Sequence, residues 1–150
     1  MTDLLIAGAR ASNRDRDRSF TGHPHVVKVL DAWLRERFQP GRIYVGDATG
    51  VDWCTLCWAR EHNIPCDPLE APWADLGDAA GMLRNEWLVD AAPPGTPCLG
   101  LPYGESPGTR GCMRLALRKG LPVFCADRNG DVTPILDPCD IRLGRRLRRA

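Results

Sequence analysis

The sequence has almost no excess charge of either sign: 20 Lys and Arg stand against 19 Asp and Glu, a formal net charge of +1. Composition therefore supplies no global field that would draw nucleic acid or an anionic membrane to the chain. No apolar run approaches the roughly 20 residues of a membrane span. The opening Met1-Thr2-Asp3-Leu4-Leu5-Ile6 also lacks the basic stretch and long apolar core of a signal peptide. These absences predict a cytoplasmic protein without membrane contact. Internal repeats and low-complexity linkers are missing too, so 150 residues read as one domain with one continuous core.

Cysteine is plentiful, with seven residues, but the count is odd and the positions 54, 57, 66, 98, 112, 125 and 139 are scattered. A disulfide framework does not fit that scatter. Cys54 and Cys57 form a C-x-x-C, yet no second ligand pair stands at zinc spacing, so both read as small apolar residues on a helix face. His23 and His25 have no metal-spaced partners and read as surface or capping residues. Neither a metal nor a cofactor is expected.

Hydrophobic periodicity gives the fold class. Asp3 to Ala9 is an apolar run ending in Gly8-Ala9-Arg10, a buried first strand with a tight turn after it. Val26, Val27, Leu30, Trp33, Leu34 and Phe38 recur at helical spacing, and Pro40-Gly41 closes that helix. Arg42 to Val45 reads as a second strand, and Val51, Cys54, Trp58 and Glu61 as the helix after it. A third strand opens at Ile64-Pro65-Cys66, and the next helix carries Leu83, Trp87, Leu88 and Ala91. Cys98 to Leu101 and Leu121 to Cys125 are further strands flanking a helix with Met113, Ala116 and Leu117, and Asp131 to Leu136 is a candidate for one more. Strands alternating with helices predict an α/β, Rossmann-like parallel sheet of about five strands with helices on both faces. The domain is expected to span residues 1–138, with a basic tail over 139–150.

Three Gly-containing turns follow strands, at Gly8, at Gly46 to Gly50 and at Gly104 to Gly108. In an open parallel sheet all three fall on the edge where ligands bind. Glycine lets a backbone approach an anion closely, and a helix N-terminus offers unpaired N–H groups to it. Gly108-Thr109 adds a hydroxyl at such a helix start, while Arg10, Arg84 and Asn85 supply hydrogen-bonding side chains nearby in the chain. Arginine's planar fork matches phosphate or carboxylate best. Trp73, in the loop before the Arg84 helix, is placed to stack on a base, whereas the other four tryptophans are expected mainly in the core.

The combination Gly8-Ala9-Arg10, Gly46-Asp47-Ala48-Thr49-Gly50-Val51-Asp52, Trp58-Ala59-Arg60 and Ile64-Pro65 resembles the YspA/cpYpsA-related branch of the SLOG superfamily. Ala71-Pro72-Trp73, Gly77, Ala79-Ala80-Gly81, Arg84-Asn85, Gly108-Thr109 and Gly120-Leu121-Pro122-Val123 extend the resemblance over about residues 3 to 125. The resemblance implies a Rossmann-like fold, a nucleotide-derived ligand and a homodimer. By it, Gly108 and Thr109 would hold phosphate with help from Arg84, and Gly46, Gly50 and Asp52 would line the ribose or base.

This chain departs from the pattern twice. Asp47 stands where the branch usually has a second glycine, which brings a carboxylate close to the expected anion site. The similar LONELY GUY phosphoribohydrolases carry a glutamate one helical turn after Gly-Thr, and here that position is Cys112. Cleaving a glycosidic bond needs a carboxylate near the oxocarbenium-like centre. Asp47, Asp52, Glu86 and Glu105 are the candidate substitutes, each near a strand end or on the Arg84 helix, and Asp52 leads because it matches the branch motif. The sequence thus predicts a sensor or sequestering protein for a nucleotide-derived phosphate ligand. A nucleoside 5′-monophosphate N-glycosidase is the alternative. A nucleic-acid-binding accessory protein, distantly akin to the DprA/Smf DNA-processing proteins and using the basic tail, is a second.

Overall fold

A computed structural model describes residues 2–8, 23–36, 40–47, 50–71, 79–102 and 106–142. The described elements alternate: β1 (Thr2–Gly8), α1 (His23–Glu36), β2 (Pro40–Gly46), α2 (Val51–Glu61), β3 (Cys66–Leu69), α3 (Ala79–Ala91), β4 (Cys98–Leu101), α4 (Pro107–Lys119), β5 (Val123–Ala126), β6 (Val132–Ile135) and α5 (Pro138–Arg142). They build one sheet in the order β3-β2-β1-β4-β5-β6. The first five strands are parallel, and β6 pairs with β5 antiparallel. The α/β, Rossmann-like class expected from the sequence is therefore observed, with six strands instead of about five. The segment from Asp127 to Asp131 is a tight turn, with Asp127 Oδ1 accepting from the N–H groups of Asn129 and Asp131, and this reverses the chain into β6.

Residue alternation along β1 shows how the sheet holds two cores. Leu4 and Ile6 face one side, where Val26, Val29, Leu30 and Trp33 of α1 and Val51, Cys54, Trp58 and Ala59 of α2 cover them. Leu5 and Ala7 face the other side, under Leu88 and Val89 of α3 and Cys112, Met113 and Ala116 of α4. Successive side chains of a strand point to opposite faces, so a strand covered on both sides must be apolar throughout, as Leu4 to Ala7 are.

The helix α3 presents a different face from the one its apolar residues suggest. Ala80, Arg84 and Leu88, spaced by four, turn inward with Val89, whereas Trp87 is 42% exposed. Trp53 is equally exposed, so of the tryptophans described only Trp33 and Trp58 belong to the core. Past residue 138 the packed fold continues: α5 runs to Arg142 and Ile141 is buried in the second core. The boundary expected before 139 therefore falls inside a packed helix, and residues 143–150 lie outside the described residues.

Each outer strand carries a proline, Pro68 in β3 and Pro134 in β6. Proline has no N–H for a ladder bond, and an edge strand is where that loss is tolerated. Lys119, at the end of α4, ties that helix to the C-terminus of α3, donating to the carbonyls of Val89, Asp90 and Ala92. Cations are favoured at such helix ends, where the last carbonyls lack partners.

Candidate functional site

The strand order places a topological switch between β1 and β4. From β1 the chain winds outward to β2 and β3, then crosses back to β4 on the other side of β1. At such a point successive connections diverge to opposite faces and leave a crevice beyond the carboxyl ends of the strands. Gly8 ends β1 here, Gly46 ends β2, and the N-termini of α2 and α4 arrive at the same edge.

Gly8 and Gly46 are filled from within the protein. A Cβ on Gly8 would lie 2.1 Å from Val51 Cγ1, and one on Gly46 would lie 2.2 Å from Arg84 Nη1. These glycines let helices α2 and α3 close onto the sheet, the packing counterpart of the ligand approach expected of them. Gly50 is needed for its own backbone: at φ 82 and ψ −123 it starts α2 in a conformation that residues with a Cβ rarely adopt. Gly108 differs from Gly8 and Gly46, because it is exposed and nothing lies within 4 Å of where its Cβ would stand.

Arg84 is the centre of a buried polar cluster. Its guanidinium crosses the end of β2, with Nη1 donating to Asp47 Oδ1 at 2.7 Å and standing 4.0 Å from Asp52 Oδ2 in the first turn of α2. The Arg84 side chain is 7% exposed and that of Asp52 5%, so this charge pairing is largely shielded from water. Asp47 Oδ2 accepts from the Ala71 N–H at 3.2 Å, joining the exit of β3 to the cluster. Asp47, the departure from the resembling branch, is thus the partner that holds Arg84.

The cluster continues to the first turn of α4. Arg84 Nε donates to Asn85 Oδ1 at 3.1 Å, and Asn85 Nδ2 donates to the Gly108 carbonyl at 3.3 Å. The turn itself starts at Ser106, which has φ 43 and ψ 59, and its hydroxyl shares a 2.7 Å hydrogen bond with that of Thr109. The first intrahelical bond there runs from Arg110 N–H to Ser106 O, so the N–H groups of Gly108 and Thr109 precede it in the chain. Thr109 is buried, whereas Gly108 is open to solvent.

Of the residues predicted for the site, the structure brings Gly46, Asp47, Asp52, Arg84, Asn85, Gly108 and Thr109 into one connected group, with Gly8 and Gly50 beside it at the same edge. Glu86 is not among them: two residues beyond Arg84 it points from another side of α3 and is exposed. Arg10, Trp73, Gly104 and Glu105 lie outside the described residues. Cys112, which the resemblance set where a hydrolase would carry glutamate, is 2% exposed and packs under the sheet beside Cys98. A hydrogen bond to Cys112, together with burial, pushes the Cys98 thiol well above its ordinary range. Among the described residues, no three His, Cys, Asp or Glu side chains are grouped to hold a metal ion. No described helix is long and apolar enough to cross a membrane.

Fold and site together define a Rossmann-like α/β domain with a buried acid-arginine cluster at its switch point. No family model and no solved structure matches the chain. It is similar to the Gene 61 protein of Mycobacterium phage D29, with 39% identity over 132 residues that cover 83% of this chain and 95% of that protein. The chain belongs to the family of that Gene 61 protein.

Proposed function

We propose that this protein is a sensor or sequestering protein that binds a phosphate-bearing, nucleotide-derived ligand at the carboxyl edge of its sheet. The phosphate sits on the first turn of α4. The observation that carries this reading is the open face of Gly108 at a helix start beside the β1/β4 switch point. There the N–H groups of Gly108 and Thr109 and the positive end of the helix dipole suit an anion. The resemblance to the SLOG superfamily points to the same turn.

Two placements favour binding over hydrolysis. Glu86 is exposed on another side of α3, and Cys112 is enclosed in the core, so neither lies at the open turn. Among the described residues, the other carboxylate candidates, Asp47 and Asp52, both stand beside the Arg84 guanidinium.

Titration calorimetry with adenosine, guanosine, cytidine and uridine 5′-monophosphates, with the free nucleosides as controls, tests the reading. Binding of at least one monophosphate and not of its nucleoside is expected. Gly108→Val, which places bulk on the open face, should weaken that binding about tenfold or more, about 1.4 kcal/mol. A folded Gly108→Val protein with unchanged affinity would take α4 out of the site.

A further inference from the structure

We propose that Asp47, Arg84 and Asn85 act as a positioning relay that sets the geometry of the α4 first turn from the end of β2. Each member fixes the next. The Ala71 N–H engages one Asp47 oxygen, which leaves Oδ1 directed at Arg84 Nη1 at 2.7 Å. Arg84 is held by that bond and by its seat against Gly46, where no Cβ intervenes. Its Nε–H then faces Asn85 Oδ1 at 3.1 Å.

An asparagine amide has one accepting and one donating end. With Oδ1 committed to Arg84, Nδ2 must turn the other way, and there it meets the Gly108 carbonyl at 3.3 Å. The relay thus joins three segments that are far apart in sequence, and its last contact is with the residue that carries the open face. Arg84 is a positioning residue in this scheme: it acts on the turn through Asn85 while its own charge stays paired with Asp47. Arg84 is nearly buried, so the pairing is not diluted by water as a surface ion pair would be.

What the relay positions is the phosphate turn proposed above, and in that sense it rests on that reading. The experiment separates the two. Amide and side-chain amide NMR signals are recorded first without ligand, for the wild type, Asp47→Asn, Asn85→Leu and the double variant. Asp47→Asn should move the signals of the Asn85 side chain, Gly108 and Thr109. The same change made on Asn85→Leu should leave Gly108 and Thr109 where Asn85→Leu alone put them.

Adenosine, guanosine, cytidine and uridine 5′-monophosphates are then each titrated into each folded protein, and the comparison is made with whichever the wild type binds. Either single substitution should raise the dissociation constant about tenfold and the double variant no further, the non-additivity expected of residues acting as one unit. Gly108 and Thr109 signals that ignore Asp47→Asn, or that respond equally in both backgrounds, would overturn the relay. Wild-type protein that binds no monophosphate would defeat the ligand reading alone, since the ligand-free spectra still decide the relay. Should Asp47→Asn not fold, Arg84→Lys is the replacement. It keeps a cation for Asp47 but cannot donate from the Nε and Nη1 positions together, so an unmoved Gly108 signal in it would equally overturn the relay.

Discussion

The guanidinium of Arg84 lies against the backbone of Gly46, with Nη1 only 2.2 Å from where a Cβ would stand. Glycine here is a requirement of the arginine, whose far end could swing aside only by leaving Asp47. Gly46→Ala should therefore destabilise the fold by about 3 kcal/mol, at the upper end of ordinary overpacking. The same substitution in an Arg84→Ala background should cost much less. Urea denaturation of the four proteins checks this, and equal losses in both backgrounds would contradict the contact.

The ion pair itself should show the asymmetry of buried charges. Removing one partner strands the other in a shielded site, at a cost of about 3 to 5 kcal/mol, whereas removing both with apolar replacements costs far less. Asp47→Ala is expected near the lower figure, because its side chain keeps 20% exposure. Because Arg84 also faces the buried Asp52, the uncharged replacement is the triple variant Asp47→Ala, Asp52→Asn and Arg84→Met, which should recover much of that loss. Thermal and chemical unfolding of the single and combined variants would reveal simple additivity if the cluster were not coupled.

Thiol chemistry should divide the cysteines by position. Cys139 is exposed and should react first with an aromatic disulfide reagent, and Cys57, half-buried, more slowly. Cys54, Cys98, Cys112 and Cys125 are buried and should react only on unfolding. Cys66 is half-buried, but burial and the neighbouring Asp67 raise its thiol from 9.0 to about 11. At pH 8 roughly one thousandth of it is thiolate, so it should lag behind Cys57 and accelerate as pH rises towards about 11. The raised value also means that the neutral thiol favours the folded state. That contribution is complete below pH 9 and fades as pH passes about 11. Mass mapping of labelled cysteines against pH checks the order.

Hydrolysis of nucleoside 5′-monophosphates should be absent or very slow. Chromatographic assay of base release over the four ribonucleotides and their deoxy forms is the measurement. Turnover of about 1 to 1000 per second, lost in Asp52→Asn, would replace the sensor reading with a glycosidase.

Much of this architecture was legible because buried parallel strands leave apolar runs and the helices between them leave a period near 3.6. The Cys98 to Leu101 strand needed nothing more. The inward face of α3 was harder to read. An arginine occupies the position between Ala80 and Leu88, and counting apolar residues shifts the apparent stripe toward Leu83 and Trp87.

The glycines mislead for a related reason. Sequence shows that Gly8 and Gly46 leave room, but only the fold shows that Val51 and Arg84 fill it. The signal that could have found the acid-arginine pair is the departure itself. A carboxylate placed at the end of a strand beside an expected anion site must be paired with a cation or repel the ligand, and Arg84 was the cation at hand.

The prolines of β3 and β6 bear on how this chain behaves when crowded. A parallel sheet with bare margins invites neighbouring molecules to add strands, the first step toward fibrils. Pro68 at one margin and Pro134 at the other interrupt that invitation on both sides. Concentrated solutions should therefore resist fibrillar growth, and contacts between copies are left to helical surfaces such as the one bearing Met82, which is 71% exposed.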